Sequence, residues 1–117
     1  MPLDPSGEPC DVTVIIPAYK ARTTITRALA SVAAQTCPPH AAVVVDDGSG
    51  DGTYEATEEF RPHMRGIELT VVSQDNAGPG AARNRALSMT TTRFVAFLDA
   101  DDEWLPEKLA KSMAALG

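Results

Sequence analysis

Two acidic clusters each follow directly on an apolar run: Asp46-Asp47 after VVV, and Asp99-Ala100-Asp101-Asp102 after FVAFL. On an extended chain, residues two apart point the same way. Asp99 and Asp101 would then present hard oxygen donors to one point, which suits Mg2+ or Mn2+. A cation held there would bridge diphosphate oxygens and neutralise a departing nucleoside diphosphate. The plainer use of Asp101 or Asp102 is to cap the helix after Trp104. Their position after an apolar strand, beside other loops of the same kind, favours the metal. Asp46 and Asp47 cannot both be buried without partners. A carboxylate there can accept from a base N–H or a ribose hydroxyl, although Asp-Gly and Ser-Gly pairs also make turns. Ligand binding is favoured for Asp47 and less so for Asp46, while Asp51 reads as the cap of the following helix.

Two further features carry chemistry. Gly78-x-Gly80-x-x-Arg83 imitates a dinucleotide fingerprint, but Arg83 stands where the third small residue belongs. It reads instead as a loop whose helix N-terminus and guanidinium favour phosphate, with a surface salt bridge as the alternative for Arg83. Tyr19 is placed to stack on a base or cover it. His40 and His63 lie in loops without partner motifs, and Trp104 reads as core.

The elements that must position these residues alternate. Val12–Ile16 is a β-branched run stopped by Pro17, and a helical pattern runs from Arg22 to Gln35, with Pro38-Pro39 beyond it. A strand follows at Ala41–Val45 and a helix at Thr53–Phe60. Next come a strand at Ile67–Ser73, a helix at Ala81–Met89 and a strand at Arg93–Leu98. A final helix spans Pro106–Leu116, with Pro106 suited to its first turn. This order predicts an α/β fold, a mostly parallel sheet of about four strands with helices on both faces. The strands lack polar alternation, as burial on both faces requires. Ligands of such sheets gather at the carboxyl ends of the strands. All of the features above fall there.

Composition narrows the partners. The chain has 117 residues, a formal net charge of −6 and scattered Arg and Lys. No basic footprint for nucleic acid is present, and no apolar run approaches a membrane span. Residues 1–11 read as a loose leader and residues 12–117 as one domain. The leader lacks a basic n-region and an apolar h-region, so no signal peptide and a cytoplasmic location are expected. Cys10 and Cys37 show no disulfide framework and are expected to be free thiols.

Taken together, VTVIIPAYKARTTITRALASVAAQT, VVVDDGSGDGT, NAGPGAARNRAL and FVAFLDADDEWLPEKL resemble the N-terminal part of family-2 glycosyltransferases. The likeness runs from about Val12 to Leu116. It implies the Rossmann-like nucleotide-binding half of a GT-A fold and a metal-dependent, inverting sugar transfer from a nucleoside diphosphate sugar, expected to be a UDP-sugar, to an unknown acceptor hydroxyl. By the same resemblance, Pro17 and Tyr19 line the nucleoside pocket, and Asp47 reads the base. Arg83 lies near base and diphosphate, Asp99 is the ribose and metal-side acid, and Asp101 is the direct metal ligand. Lys20 stands where the family often has Asn, and Gly50 where it often has Thr. The acceptor site and the general base of the family lie beyond Gly117, so a non-catalytic nucleotide-binding or assembly module is the competing expectation. The strand FVAFL would also be left as an open apolar edge, from which self-association is expected. A clean monomer by light scattering at high concentration would count against that. A receiver domain fits poorly, because its acid pair ends the first strand. A sugar nucleotidyltransferase would need a Gly-rich, Arg-bearing loop after strand one.

Overall fold

The computed structural model describes residues 10–116. Four strands, β1 (Cys10–Ala18), β2 (Pro39–Asp46), β3 (Glu68–Ser73) and β4 (Phe94–Phe97), alternate with four helices, α1 (Ile25–Ala33), α2 (Thr53–Phe60), α3 (Pro79–Ser88) and α4 (Lys108–Leu116). A single 3-10 turn at Arg61–His63 extends α2. Residues 1–9 of the expected leader lie outside the described residues. Cys10 and Asp11, assigned to that leader from sequence, are the first two residues of β1.

The sheet order is β3-β2-β1-β4, and every pair is parallel. β1 does not stop at Pro17, as expected, but continues to Ala18 in register with Asp46. The reason lies in which neighbour each backbone group faces. The ladder to β4 ends with the Leu98 N–H donating to the Ile15 carbonyl. The next donor on that side would come from Pro17, which has none, and β4 has already ended there. On the β2 side, Ala18 accepts from the Asp47 N–H at 2.8 Å. Pro17 therefore costs the sheet no bond.

The two faces are covered unequally. Val12, Val14, Ile16, Ala42, Val44 and Leu69 pack with Ile25, Leu29 and Val32 of α1 and Leu109 of α4 in the main core, with Ala56 and Phe60 of α2 against it. Ile25, Leu29 and Val32 share one face of α1 by their spacing, and each such side chain contributes about 1.5–3 kcal/mol when fully buried. Among the described residues the other face carries α3 alone, whose Ala82 and Ala86 meet Ile15, Val43 and Val45. Small alanines let α3 approach closely, but it does not reach across β4. Val95 and Phe97 stay exposed on that side, while Phe94 and Ala96 pack against the main core. Trp104 also packs against that core, as expected from sequence.

The expectation of free thiols is corrected. Cys10 and Cys37 form a disulfide, with Cα atoms 6.0 Å apart, and no cysteine is free. The parallel register explains it. Cys10 at the start of β1 lies opposite Pro39, two residues beyond Cys37. This pairing is a tertiary contact that the spacing of two cysteines alone does not reveal.

Candidate functional site

Because all four strands are parallel, their carboxyl ends and the loops that follow share one rim. The loops after β1, β2, β3 and β4 enclose a cavity of about 430 Å3 lined by Pro17, Tyr19, Asp47, Asn76, Gly78, Arg83 and Asp99, among others. Five of the seven site residues expected from sequence, Pro17, Tyr19, Asp47, Arg83 and Asp99, thus meet in one concavity. A second cavity of about 430 Å3 adjoins it, lined by Lys20, Thr24 and Asp101 and sharing Pro17, Tyr19 and Asp99. Tyr19, half exposed, forms the wall between them. Lys20 takes φ +50°, in the left-handed region that Asn enters more readily than Lys. Its N–H donates to Ser49 Oγ at 2.7 Å, which pins the turn after β1 to the loop after β2.

Asp47 is only 3% exposed and is held by the loop after β3. Its Oδ1 accepts from Gln74 Nε2 and the Ala77 N–H, both at 2.9 Å. Its Oδ2 accepts from the Gly78 N–H at 2.9 Å and Asn76 Nδ2 at 3.3 Å. Burial pushes the carboxyl up, but the hydrogen bonds from Gln74, Ala77 and Gly78 together outweigh it and hold the group below its ordinary value. Gly48 completes the interlock. With φ +73° it lies so close to the next loop that an added Cβ would sit 2.8 Å from the Asn76 nitrogen. Gln74 and Asn76 join the site without having been singled out from sequence, although the loop that carries Gly78 was expected at the strand ends.

Asp46 does not join the others. Its buried carboxylate accepts from the Ser49 N–H at 3.2 Å and borders a separate concavity with Tyr54, Glu55 and Ser73. Asp51 is not the N-cap of α2 expected from sequence, because that position falls on Gly52; one residue earlier, its carboxylate accepts from the Thr53 N–H at 3.1 Å. The Thr53 hydroxyl on the same oxygen is the chief cause that lowers its pKa.

The segment after β4 is a turn rather than extended chain, closed by the Asp102 N–H on the Asp99 carbonyl at 3.0 Å. Asp99 and Asp101 therefore do not converge by the strand alternation expected from sequence. The turn nonetheless gathers oxygens of Asp99, Asp101 and Asp102 within 4.8 Å of one another, all three exposed. Asp102, which sequence reading did not count among the metal ligands, joins them. Neither Asp101 nor Asp102 caps α4, which begins at Lys108. Two arginines brace the turn. Arg83 approaches Asp99 at 3.8 Å from α3, with its guanidinium over the Phe97 ring, and Arg27 of α1 donates to the Asp101 carbonyl at 3.1 Å. Three hard carboxylates open to solvent suit Mg2+ or Mn2+ better than a soft metal.

A parallel α/β sheet with nucleotide-sized acidic crevices at its strand ends defines the class, and the comparisons with known proteins agree. Residues 13–117 match Glycosyl transferase family 2, and the chain belongs to that family. It is 39% identical over 102 residues to the putative teichuronic acid biosynthesis glycosyltransferase TuaG of Bacillus subtilis, covering 87% of this chain and 40% of that protein. It is 36% identical over 105 residues to the UDP-Glc:alpha-D-GlcNAc-diphosphoundecaprenol beta-1,3-glucosyltransferase WfgD of Escherichia coli, covering 90% and 40%. Among solved structures it resembles S. aureus TarS 1-349 in complex with UDP-GlcNAc, at TM-score 0.76 and 35% identity over 88% of this chain and 30% of that one. It also resembles the mannosyltransferase PcManGT of Pyrobaculum calidifontis in complex with GDP-Man and Mn2+, at TM-score 0.85 and 32% identity over 92% and 32%. These neighbours are GT-A glycosyltransferases, and the fold expected from sequence stands. The chain spans about 40% of the length of these two curated relatives. Among the described residues no helix is long and apolar enough to cross a membrane.

Proposed function

We propose that this chain is the donor-binding region of an inverting glycosyltransferase, which takes a nucleoside diphosphate sugar with a divalent cation for transfer to an acceptor hydroxyl. The observation that carries the reading is the meeting, at two adjoining cavities that share Tyr19 and Asp99, of Arg83 and the exposed Asp99-Asp101-Asp102 turn. The UDP, UDP-GlcNAc and GDP-Man complexes of the structural neighbours support it. A UDP-sugar is the donor favoured.

The residues divide the work by chemistry. Pro17 and the Tyr19 ring offer the flat, partly apolar wall that a base requires. Arg83 has a planar fork of donors suited to diphosphate oxygens. It already stands 3.8 Å from Asp99, so it can shift between carboxylate and phosphate without leaving the cavity. Asp99 and Asp101, with Asp102, would hold Mn2+ or Mg2+. When bound, that ion supplies positive charge against the departing diphosphate. In the transfer, a general base removes the acceptor proton, and the acceptor oxygen attacks the anomeric carbon as its bond to the nucleoside diphosphate breaks.

Calorimetry with UDP, GDP and their sugars, with and without Mn2+, tests the reading. Metal-dependent binding that disappears in Asp101→Ala is the expected result. A folded chain that binds none of them would sink it.

A further inference from the structure

A diphosphate brought to the Asp99-Asp101-Asp102 turn needs more positive charge than one divalent ion supplies. Such an ion cancels only two of the three carboxylate charges, so the arriving anion still faces a negative surface. The protein has to supply the balance. Arg27 is engaged elsewhere, on the Asp101 carbonyl and beside Glu103 at 3.8 Å. Arg83 serves the first cavity, next to Asp99. The second cavity has a cation of its own, Lys20, which lines it with Thr24, Asp99 and Asp101.

Nothing in the fold accounts for a lysine at this position. Lys20 is the one described non-glycine residue with a positive φ, +50°. Asn enters that region with less strain. What the position gives the fold is its backbone N–H on Ser49 Oγ, which any residue except proline would supply. The side chain is exposed. Among the described residues its ammonium forms no ion pair and no hydrogen bond, and lies 5.5 Å from the centre of the Tyr19 ring. The turn thus fixes the α-carbon beside the acidic turn, while a flexible stem leaves a point charge of the kind that binds phosphate unspent.

We propose that Lys20 binds the diphosphate of the donor from the second cavity, so that it and Arg83 approach that group from the two sides of Tyr19. This rests on the donor-site reading above and adds to it a binding residue that the reading does not use. Lys20→Asn is the sharpest probe, because it removes the charge and suits the backbone.

Binding to the full chain is measured with Mn2+ for uridine, UDP, UDP-glucose and UDP-glucuronate, or for the guanosine series if GDP is the nucleotide taken. Calorimetry serves the nucleotides and NMR titration the weaker nucleoside. Lys20→Asn should weaken UDP and UDP-glucose by one common factor, about tenfold or more. It should leave uridine unchanged and the unfolding temperature no lower than that of the wild type. Lys20→Arg should recover part of the UDP affinity, and added salt should weaken UDP more steeply in the wild type than in Lys20→Asn. Unchanged UDP affinity overturns the proposal. So does an equal loss of uridine, which would confine Lys20 to the Tyr19 ring and the base. A loss seen with UDP-glucuronate alone would put the recognised anion on the sugar, and overturns the diphosphate assignment. A wild type that binds uridine and UDP equally well keeps its base pocket and fails this proposal alone. One that binds neither fails the donor-site reading, and this proposal with it.

Discussion

The acidic loops after β2 and after β4 use the same residue type at the same end of the same sheet, yet their physics is opposite. Asp47 is enclosed and its carboxylate is saturated by the protein's own donors. The Asp99 side chain is 62% exposed, and the oppositely charged group beside it is Arg83 at 3.8 Å. The difference follows from strand position. β2 lies between β1 and β3, so its loop is roofed by the loop that leaves β3. Among the described residues β4 is an edge strand, and the side chains that hydrogen-bond or ion-pair with its turn from other elements are Arg27 and Arg83. An interior acid becomes part of the framework, while an edge acid keeps its lone pairs for a ligand.

That contrast can be broken from either side. Asp47→Ala strands four donors at a buried position and should lower unfolding free energy by about 3 kcal/mol. Asp101→Ala, at an exposed one, should change it by no more than about 0.5 kcal/mol. Denaturant titration of the two variants measures both, and equal losses would erase the distinction. Gly48→Ala should cost about 2 kcal/mol, through left-handed backbone and the close approach of the Asn76 nitrogen. Hydrogen exchange should place the damage in residues 74–78, and a chain of unaltered stability would show that the two loops do not interlock. Acid offers a gentler test. Because the folded-state pKa of Asp47 is depressed, its stabilisation is complete above the unfolded-state value, about pH 4, and drains away as pH falls through the folded value. The stability gap between wild type and Asp47→Asn should therefore hold constant from pH 7 to about pH 4 and narrow below. The smallest effect is expected from the other loop. Mn2+ should raise the unfolding temperature of the wild type modestly, as a ligand of the native state must, and leave that of Asp101→Ala unmoved. Equal shifts in both would place the ion elsewhere.

Most of the fold was legible because its signals are local. β-branched runs, helical spacing and Gly/Pro punctuation located every strand and helix, with ends displaced by a few residues. Pro17 misled because a proline breaks a ladder only on the side its nitrogen faces, and that side is set by pairing with β4, nearly eighty residues on. Cys10 and Cys37 misled for the same reason, since strand register brings them together. In the site, residue types were readable but their occupancy was not. Asp46 and Asp47 are adjacent letters, yet the strand pleat sends them to different cavities. The Asp99–Asp102 turn converges by a local fold-back that an extended-chain argument does not contain. Gln74 and Asn76 were invisible as site residues because their role is defined by an acid thirty positions earlier.

The strand order has a consequence for how the chain is made. β1 is synthesised first and can pair with β2 soon after, but its other edge waits for β4, the last of the four described strands to emerge. Parallel neighbours offer no hairpin to nucleate them, so that closing step is slow by nature and leaves an apolar edge bare on the ribosome. Pro17 stands at the carboxyl end of that waiting edge without a donor to offer. The residue that looked like the end of a strand is placed instead to discourage a wrong partner from docking before the right one has been translated.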